Sequence, residues 1–196
     1  AGTKLLSISG DVKYPGVFEI EWGMTINEML EMAGAVNAKA VQVGGPSGRL
    51  IAENEFNRTI CYEDLPTGGA MIVIGEDRKI LEVVKNFTDF FIDESCGSCA
   101  PCRYLTVILR NKLQKILDGK GISKDIDDLV HWGKQMKNAN RCGLGQTAAN
   151  PILTSIENFR SEYEARIEKG KDFNTKFNLD AAIIESSRVV GRFPQA

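Results

Sequence analysis

Five cysteines occur in the chain, and three of them stand in one short run, "ESCGSCAPC", from Glu94 to Cys102. Cys96, Cys99 and Cys102 are each two residues from the next, while Cys61 and Cys142 stand apart. An odd number with three clustered is a poor disulfide framework; the spacing is that of metal ligands in a reducing compartment. A cubane [4Fe–4S] cluster needs one thiolate on each of its irons. A C-x-x-C-x-x-C loop wraps three corners of the cube and cannot reach the fourth, so that ligand comes from elsewhere. Cys142, in the glycine-rich turn "RCGLGQ", is the candidate. Structural zinc is the alternative, but it usually sits between two separated C-x-x-C knuckles. Cys61, in "TICYEDL", reads as a small, partly buried apolar residue.

The neighbours of these cysteines suit an anionic cluster. Gly97, Gly143 and Gly145 allow backbone N–H groups to approach, and Ser95 and Ser98 offer hydroxyl donors. Arg103 is expected to offset negative charge, and Leu144 to stand beside the fourth ligand. Helices expected to start near Cys102 and Thr147 would turn their positive ends inward. Other chemistry has little material. The one histidine, His131, adjoins an apolar stripe without lying on it, so no Cys/His or Ser/His/Asp apparatus can be assembled. Asp127 and Asp128 read as a solvated helix face. The "VGGPSGR" stretch lacks the G-x-x-x-x-G-K-[ST] pattern and has no helix after it, so it reads as a hairpin turn.

Two kinds of element must position these residues. Over residues 1–78, short apolar runs such as "KLLSIS" and the alternating "VFEIE" predict strands. One helix interrupts them: Ile26, Met29, Leu30 and Ala33 share a face, Thr25 and Glu28 form a capping box, and Gly34 ends it. "AVQVGG", "RLIA" and "PTGGAMIVIG" predict the remaining strands. This order is that of a small ubiquitin-like β-grasp sheet. Over residues 79–168 the period becomes helical. Ile80, Val84, Phe87 and Phe91 form one stripe; Leu105, Ile108, Leu109, Ile116 and Leu117 a second; Ile126, Leu129, Val130, Gly133 and Met136 a third; Ile152, Ile156, Phe159, Tyr163 and Ile167 a fourth. Four stripes with short connections predict a four-helix bundle, so the fold class is α+β, with the cysteine loops at the bundle's helix junctions. Residues 169–196 read as an irregular tail, with "NLDAAIIESSRVVG" a candidate for one short helix.

Lys+Arg and Asp+Glu number 24 and 26, a balance that points to no nucleic-acid partner. No apolar run reaches the roughly 18 residues of a membrane span, so no direct membrane insertion is expected. The opening "AGTKLLSISG" has no signal-peptide pattern and no initiator Met, as expected of a cytoplasmic protein and of a piece of a longer chain.

"ESCGSCAPCR" followed by a distant "CGLGQTAANP" resembles the iron–sulfur segment of the NADH-oxidising flavoprotein (diaphorase) subunit of respiratory complex I, NAD-linked formate dehydrogenases and NAD-reducing hydrogenases. "SGDVKYPGVFEIEWGMTINEMLEMAGAV" with "VQVGGPSGRL" resembles the soluble-ligand-binding β-grasp domain that precedes it. The resemblance covers about residues 4–168. It implies that Cys96, Cys99, Cys102 and Cys142 ligate a [4Fe–4S] cluster that relays single electrons from FMN to iron–sulfur centres of a neighbouring subunit. It implies a multisubunit NAD-dependent oxidoreductase, with the hydrogenase or formate dehydrogenase branch favoured by the tail and a NAD-reducing hydrogenase expected. The family's "GRGGAGFPTG"-type signature is absent, so the FMN and NAD sites are expected on a flavin/NADH-binding domain outside this segment. A metal-stapled scaffold without a redox role, and a ligand-binding module using the β-grasp surface, are the competing readings.

Overall fold

The protein is described by a computed structural model at residues 2–167, 184 and 188–191. Strands β1 (Thr3–Gly10) and β2 (Gly16–Glu21) precede helix α1 (Ile26–Met32). Strands β3 (Ala38–Val43), β4 (Arg49–Ala52) and β5 (Ala70–Gly75) follow. Then come helices α2 (Ile80–Asp93), α3 (Thr106–Leu117), α4 (Ser123–Ala139), α5 (Gly143–Thr147) and α6 (Asn150–Glu164). The strands make one mixed sheet in the order β2-β1-β5-β3-β4, in which only the β1–β5 pair is parallel.

The period-2 alternation of each strand decides what each sheet face meets. Leu6, Ile8, Ile20, Val41, Ile51 and Val73 point to the α1 side and join Ile26, Met29 and Leu30 in one core. On the opposite face of β1 and β2, Leu5 and Val17 are 66% and 68% exposed. Farther across that face, Ala40, Leu50 and Ile74 are buried instead, because the helices cover them. Helix α1 has the predicted ends. The Glu28 N–H donates to Thr25 Oγ1 at 3.3 Å, and the Thr25 N–H donates to Glu28 Oε2 at 2.7 Å. Gly34, at φ +63°, takes the left-handed conformation that terminates the helix without a Cβ clash.

The helical core is built by Ile80, Val84 and Phe91 of α2, Leu109, Leu113 and Ile116 of α3, Ile126, Leu129 and Met136 of α4, and Ile152, Ile156 and Tyr163 of α6. On α3 the buried face is centred on Leu109, Leu113 and Ile116, spaced i, i+4, i+7; Ile108, expected in the stripe, sits on the rim at 42% exposure. Helix α6 also closes the outer edge of the sheet. The Leu50 N–H donates to Thr154 Oγ1 at 3.0 Å, and Asn158 Nδ2 donates to the Leu50 carbonyl at 2.9 Å. These bonds satisfy backbone groups of an edge strand that would otherwise be buried unpaired.

Asp125 braces α3 against α4. Only 4% exposed, it accepts from Lys112 Nζ at 3.0 Å, Lys115 Nζ at 2.6 Å and the Ile122 N–H at 3.1 Å. Asp128, expected on a solvated face, instead pairs with Lys112 and Lys124. Burial pushes the Asp125 pKa up, but the bonds from Lys115, Lys112 and the Ile122 N–H outweigh it and hold the carboxyl below its ordinary value. A carboxyl with a depressed folded-state pKa contributes stability above its unfolded pKa and loses it as pH falls through the folded one. The α3–α4 contact is therefore expected to weaken below about pH 4. In Asp125→Asn the acid-dependent part of the urea midpoint shrinks, with a loss of about 2 kcal/mol at neutral pH. A variant with an unchanged pH profile would contradict this role.

The tail expected over residues 169–196, and the short helix expected within it, lie outside the described residues except at 184 and 188–191. Among the described residues, no helix is long and apolar enough to cross a membrane.

Candidate metal centre

Two chain reversals at one end of the helices build the site. In the first, α2 ends at Asp93 and the chain turns through Glu94–Cys99, using the left-handed φ of +73° at Gly97. The helix that follows opens with Pro101, whose missing N–H costs nothing in a first turn. Residues Pro101–Leu105 form a π-helical turn before α3 proper, a wider coil of the kind found at functional sites. Thr106 Oγ1 donates to the Cys102 carbonyl at 2.6 Å and fastens this turn. Cys102 lies within it and is buried at 7% exposure.

In the second reversal α4 ends at Ala139 and α5 begins at Gly143. Cys142 is the N-cap of α5, in extended conformation, and its carbonyl accepts the Gln146 N–H at 3.1 Å. Its thiol makes no capping bond and stays available. Asn140, 6% exposed, donates through Nδ2 to the Met136 carbonyl at 2.8 Å and the Gly145 carbonyl at 3.0 Å. Gln146 Nε2 donates back to the Asn140 carbonyl at 3.1 Å. Gly145 is required by this packing: a Cβ there would lie 2.7 Å from Asn140 Cγ.

Between the two reversals lies a cavity of about 120 Å³. Cys96, Cys99, Cys102 and Cys142 all line it, together with Ser95 and Leu144. The cysteines are free thiols; Cys102 is buried, Cys99 half-buried, and Cys96 and Cys142 exposed. Ser95 Oγ lies 3.3 Å from Cys102 Sγ and accepts the Gly97 N–H at 3.3 Å. Of the other expected neighbours, Gly145 also lines the cavity and Gly143 does not. Gly97 and Ser98 do not line the cavity, and Ser98 is exposed. Arg103 turns away to brace the loop: Nη1 donates to the Gly97 carbonyl at 3.3 Å, and the guanidinium lies 4.7 Å from the Tyr104 ring centroid. The helices near the fourth cysteine start at Gly143 and Asn150 rather than near Thr147, because Asn140 and Gln146 wind the glycine-rich turn into helix and Pro151 opens α6. Spacing alone does not single out Asn140; its one sequence signal is an Asn at a helix end two residues before a cysteine.

Cys61 is half-buried, 3.4 Å from Thr59 Oγ1, and is not part of the cavity. Cys61→Ala is expected to leave the bound iron unchanged; loss of iron from a folded variant would contradict this. His131 is exposed and meets Trp132 edge-on at 4.9 Å.

Four thiols on one cavity are the donor set of a soft, thiolate-binding metal group. Zinc would draw its sulfurs to about 2.3 Å from a single point. The four thiols line one shared cavity, a placement compatible with a body that has several metal corners.

Residues 82–166 match the family model of the NADH-ubiquinone oxidoreductase-F iron–sulfur binding region. This segment therefore carries the sequence pattern of that iron–sulfur binding region. The segment runs from α2 to beyond α6, so it contains all four cavity cysteines and excludes Cys61. Its cofactor is a [4Fe–4S] cluster. Residues 5–50 match the SLBB domain model. The chain is 43% identical over 185 residues to the NAD-reducing hydrogenase HoxS subunit alpha of Cupriavidus necator, a match covering 93% of this chain and 31% of that protein. It is 34% identical over 179 residues to the F component of the NADH-quinone oxidoreductase of Mycobacterium bovis, covering 86% of this chain and 40% of that one. A crystal structure of an NAD+-reducing [NiFe]-hydrogenase in the H2-reduced state superposes with a TM-score of 0.83 at 35% identity, covering 98% of this chain and 34% of that one. The chain thus spans about a third of the length of the curated relatives it matches. The names of these two relatives are those of subunits of NAD-linked oxidoreductases.

Proposed function

We propose that this chain is the electron-relay segment of an NADH-linked flavoprotein subunit, with Cys96, Cys99, Cys102 and Cys142 holding one [4Fe–4S] cluster. The observation that carries the reading is the convergence of those four thiols, from two separate reversals, on one cavity. When bound, the cluster supplies a carrier of single electrons. The chain's own residues supply position and surroundings. Three ligands sit on a loop fixed by the end of α2 and the π-helical turn, and the fourth on a loop fixed by α4 and α5. Ser95 offers a hydroxyl beside the Cys102 sulfur, of the kind that tunes a metal group through its ligands.

In this reading residues 1–78 form a β-grasp domain, 79–168 a four-helix bundle made of α2, α3, α4 and α6, and 169–196 a tail. FMN and NAD bind to a flavin/NADH-binding domain outside the segment. The electron partners are iron–sulfur subunits of the same cytoplasmic assembly. Identity is higher to the hydrogenase protein than to the quinone oxidoreductase one, and this favours a NAD-reducing hydrogenase.

The test uses the intact subunit carrying its flavin domain. On anaerobic mixing with NADH, flavin bleaching should be followed by loss of the broad cluster absorbance, with a paramagnetic signal from the frozen sample. Flavin reduction that leaves the cluster oxidised at every potential reached would leave a structural role only.

A further inference from the structure

We infer that Asn140 is the positioning residue of the fourth ligand, holding Cys142 at the cavity through the two bonds its amide donates. The inference rests on the cluster proposed above. Three thiols come from a loop anchored by two substantial helices, α2 and α3. Cys142 is anchored by a substantial helix on one side only, where α4 ends three residues before it. It is exposed, its thiol makes no capping bond, and it caps a helix of 5 residues, too short to be stable alone. Its position must be imposed from outside, and Asn140 is built to impose it.

The Asn140 amide bridges the last turn of α4, at the Met136 carbonyl, to α5, at the Gly145 carbonyl. The Gln146 amide closes the ring onto the Asn140 carbonyl. Cys142 lies inside this ring, two residues from Asn140 and three from Gly145. The fit is tight: a Cβ at 145 would lie 2.7 Å from Asn140 Cγ and force the amide to shift. Asn140 also lines the cavity, and its Oδ1 is buried without a hydrogen-bond partner among the described residues. A buried orphan acceptor is destabilising. A leucine of similar shape would remove that penalty but could donate neither bond. The amide thus makes two donations that a leucine could not, and it makes them beside the cavity.

Asn140→Asp keeps the shape and removes both donations. In the intact holoprotein its expected signature is selective loss of the Cys142-held iron on brief exposure to air. The variant should accumulate the oxidised-state paramagnetic signal of a three-iron cluster about tenfold faster than the parent, the scale for losing one to two hydrogen bonds. The melting curve reports folding separately. Asn138→Asp, a like charge change on an exposed neighbour, should behave as the parent. If Asn140→Asp does not fold, Gln146→Leu decides, because it removes the second tie from an exposed side chain. Folded variants that lose iron at the parent's rate overturn the inference. A parent protein that binds no iron overturns the cluster itself, and measuring it first separates the two failures.

Discussion

Cys142→Ala yields a folded protein with the wrong cluster. The parent is expected to hold about four irons and four sulfides per chain, and the variant about three irons, giving the paramagnetic signal of a three-iron cluster once it is oxidised by one electron with ferricyanide. The loop around Cys96, Cys99 and Cys102 is unaltered, so three corners remain held. The exposed Cys142 thiol makes no capping hydrogen bond, and surface substitutions of that kind change stability by no more than about 0.5 kcal/mol. In the intact subunit the variant's cluster should no longer follow the flavin on mixing with NADH. Iron analysis and low-temperature electron paramagnetic resonance of anaerobically prepared protein read the result. An unchanged four-iron content would show that the fourth ligand is another residue.

Phe91→Ala should have the largest effect on stability, about 3–5 kcal/mol, from lost burial and the cavity left behind. Phe91 is fully buried, packs edge-to-face on Phe90 at 5.4 Å between ring centroids, and stands two residues before the end of α2. Small domains have only about 5–15 kcal/mol in total, so the loss is a large share. Because α2 leads directly into the cysteine loop, the urea midpoint and the retention of iron should fall together. Phe90→Ala, at a ring that is 41% exposed, should cost about 1 kcal/mol and leave iron content alone. Equal effects of the two substitutions would contradict the assigned core.

Periodicity and spacing make much of this legible. Alternation in "VFEIE" places Ile20 inside and Val17 outside, and the Thr25–Glu28 box marks the start of α1. Ile80, Val84 and Phe91 name the core face of α2, and the cysteine spacing singles out residues that share a cavity. Contacts that have no period stay hidden. The π-helical turn at Pro101–Leu105 has no signature in the spacing of apolar residues. Asn140 joins carbonyls on two helices, and Asp125 gathers two lysines from another helix; neither bond exists until the elements meet. Arg103 follows a ligand in sequence yet turns to Gly97 and Tyr104, because a long side chain takes the nearest acceptor and ring. Sequence adjacency is a poor guide to the direction of such a side chain.

The most direct measurement is metal and sulfide analysis of anaerobically purified protein, combined with electron paramagnetic resonance before and after dithionite. About four irons and four sulfides per chain, silent as isolated and paramagnetic once reduced by one electron, is the expected result. Stoichiometric zinc, or protein that folds with no iron and gives no signal on reduction, would contradict a redox centre at these four cysteines.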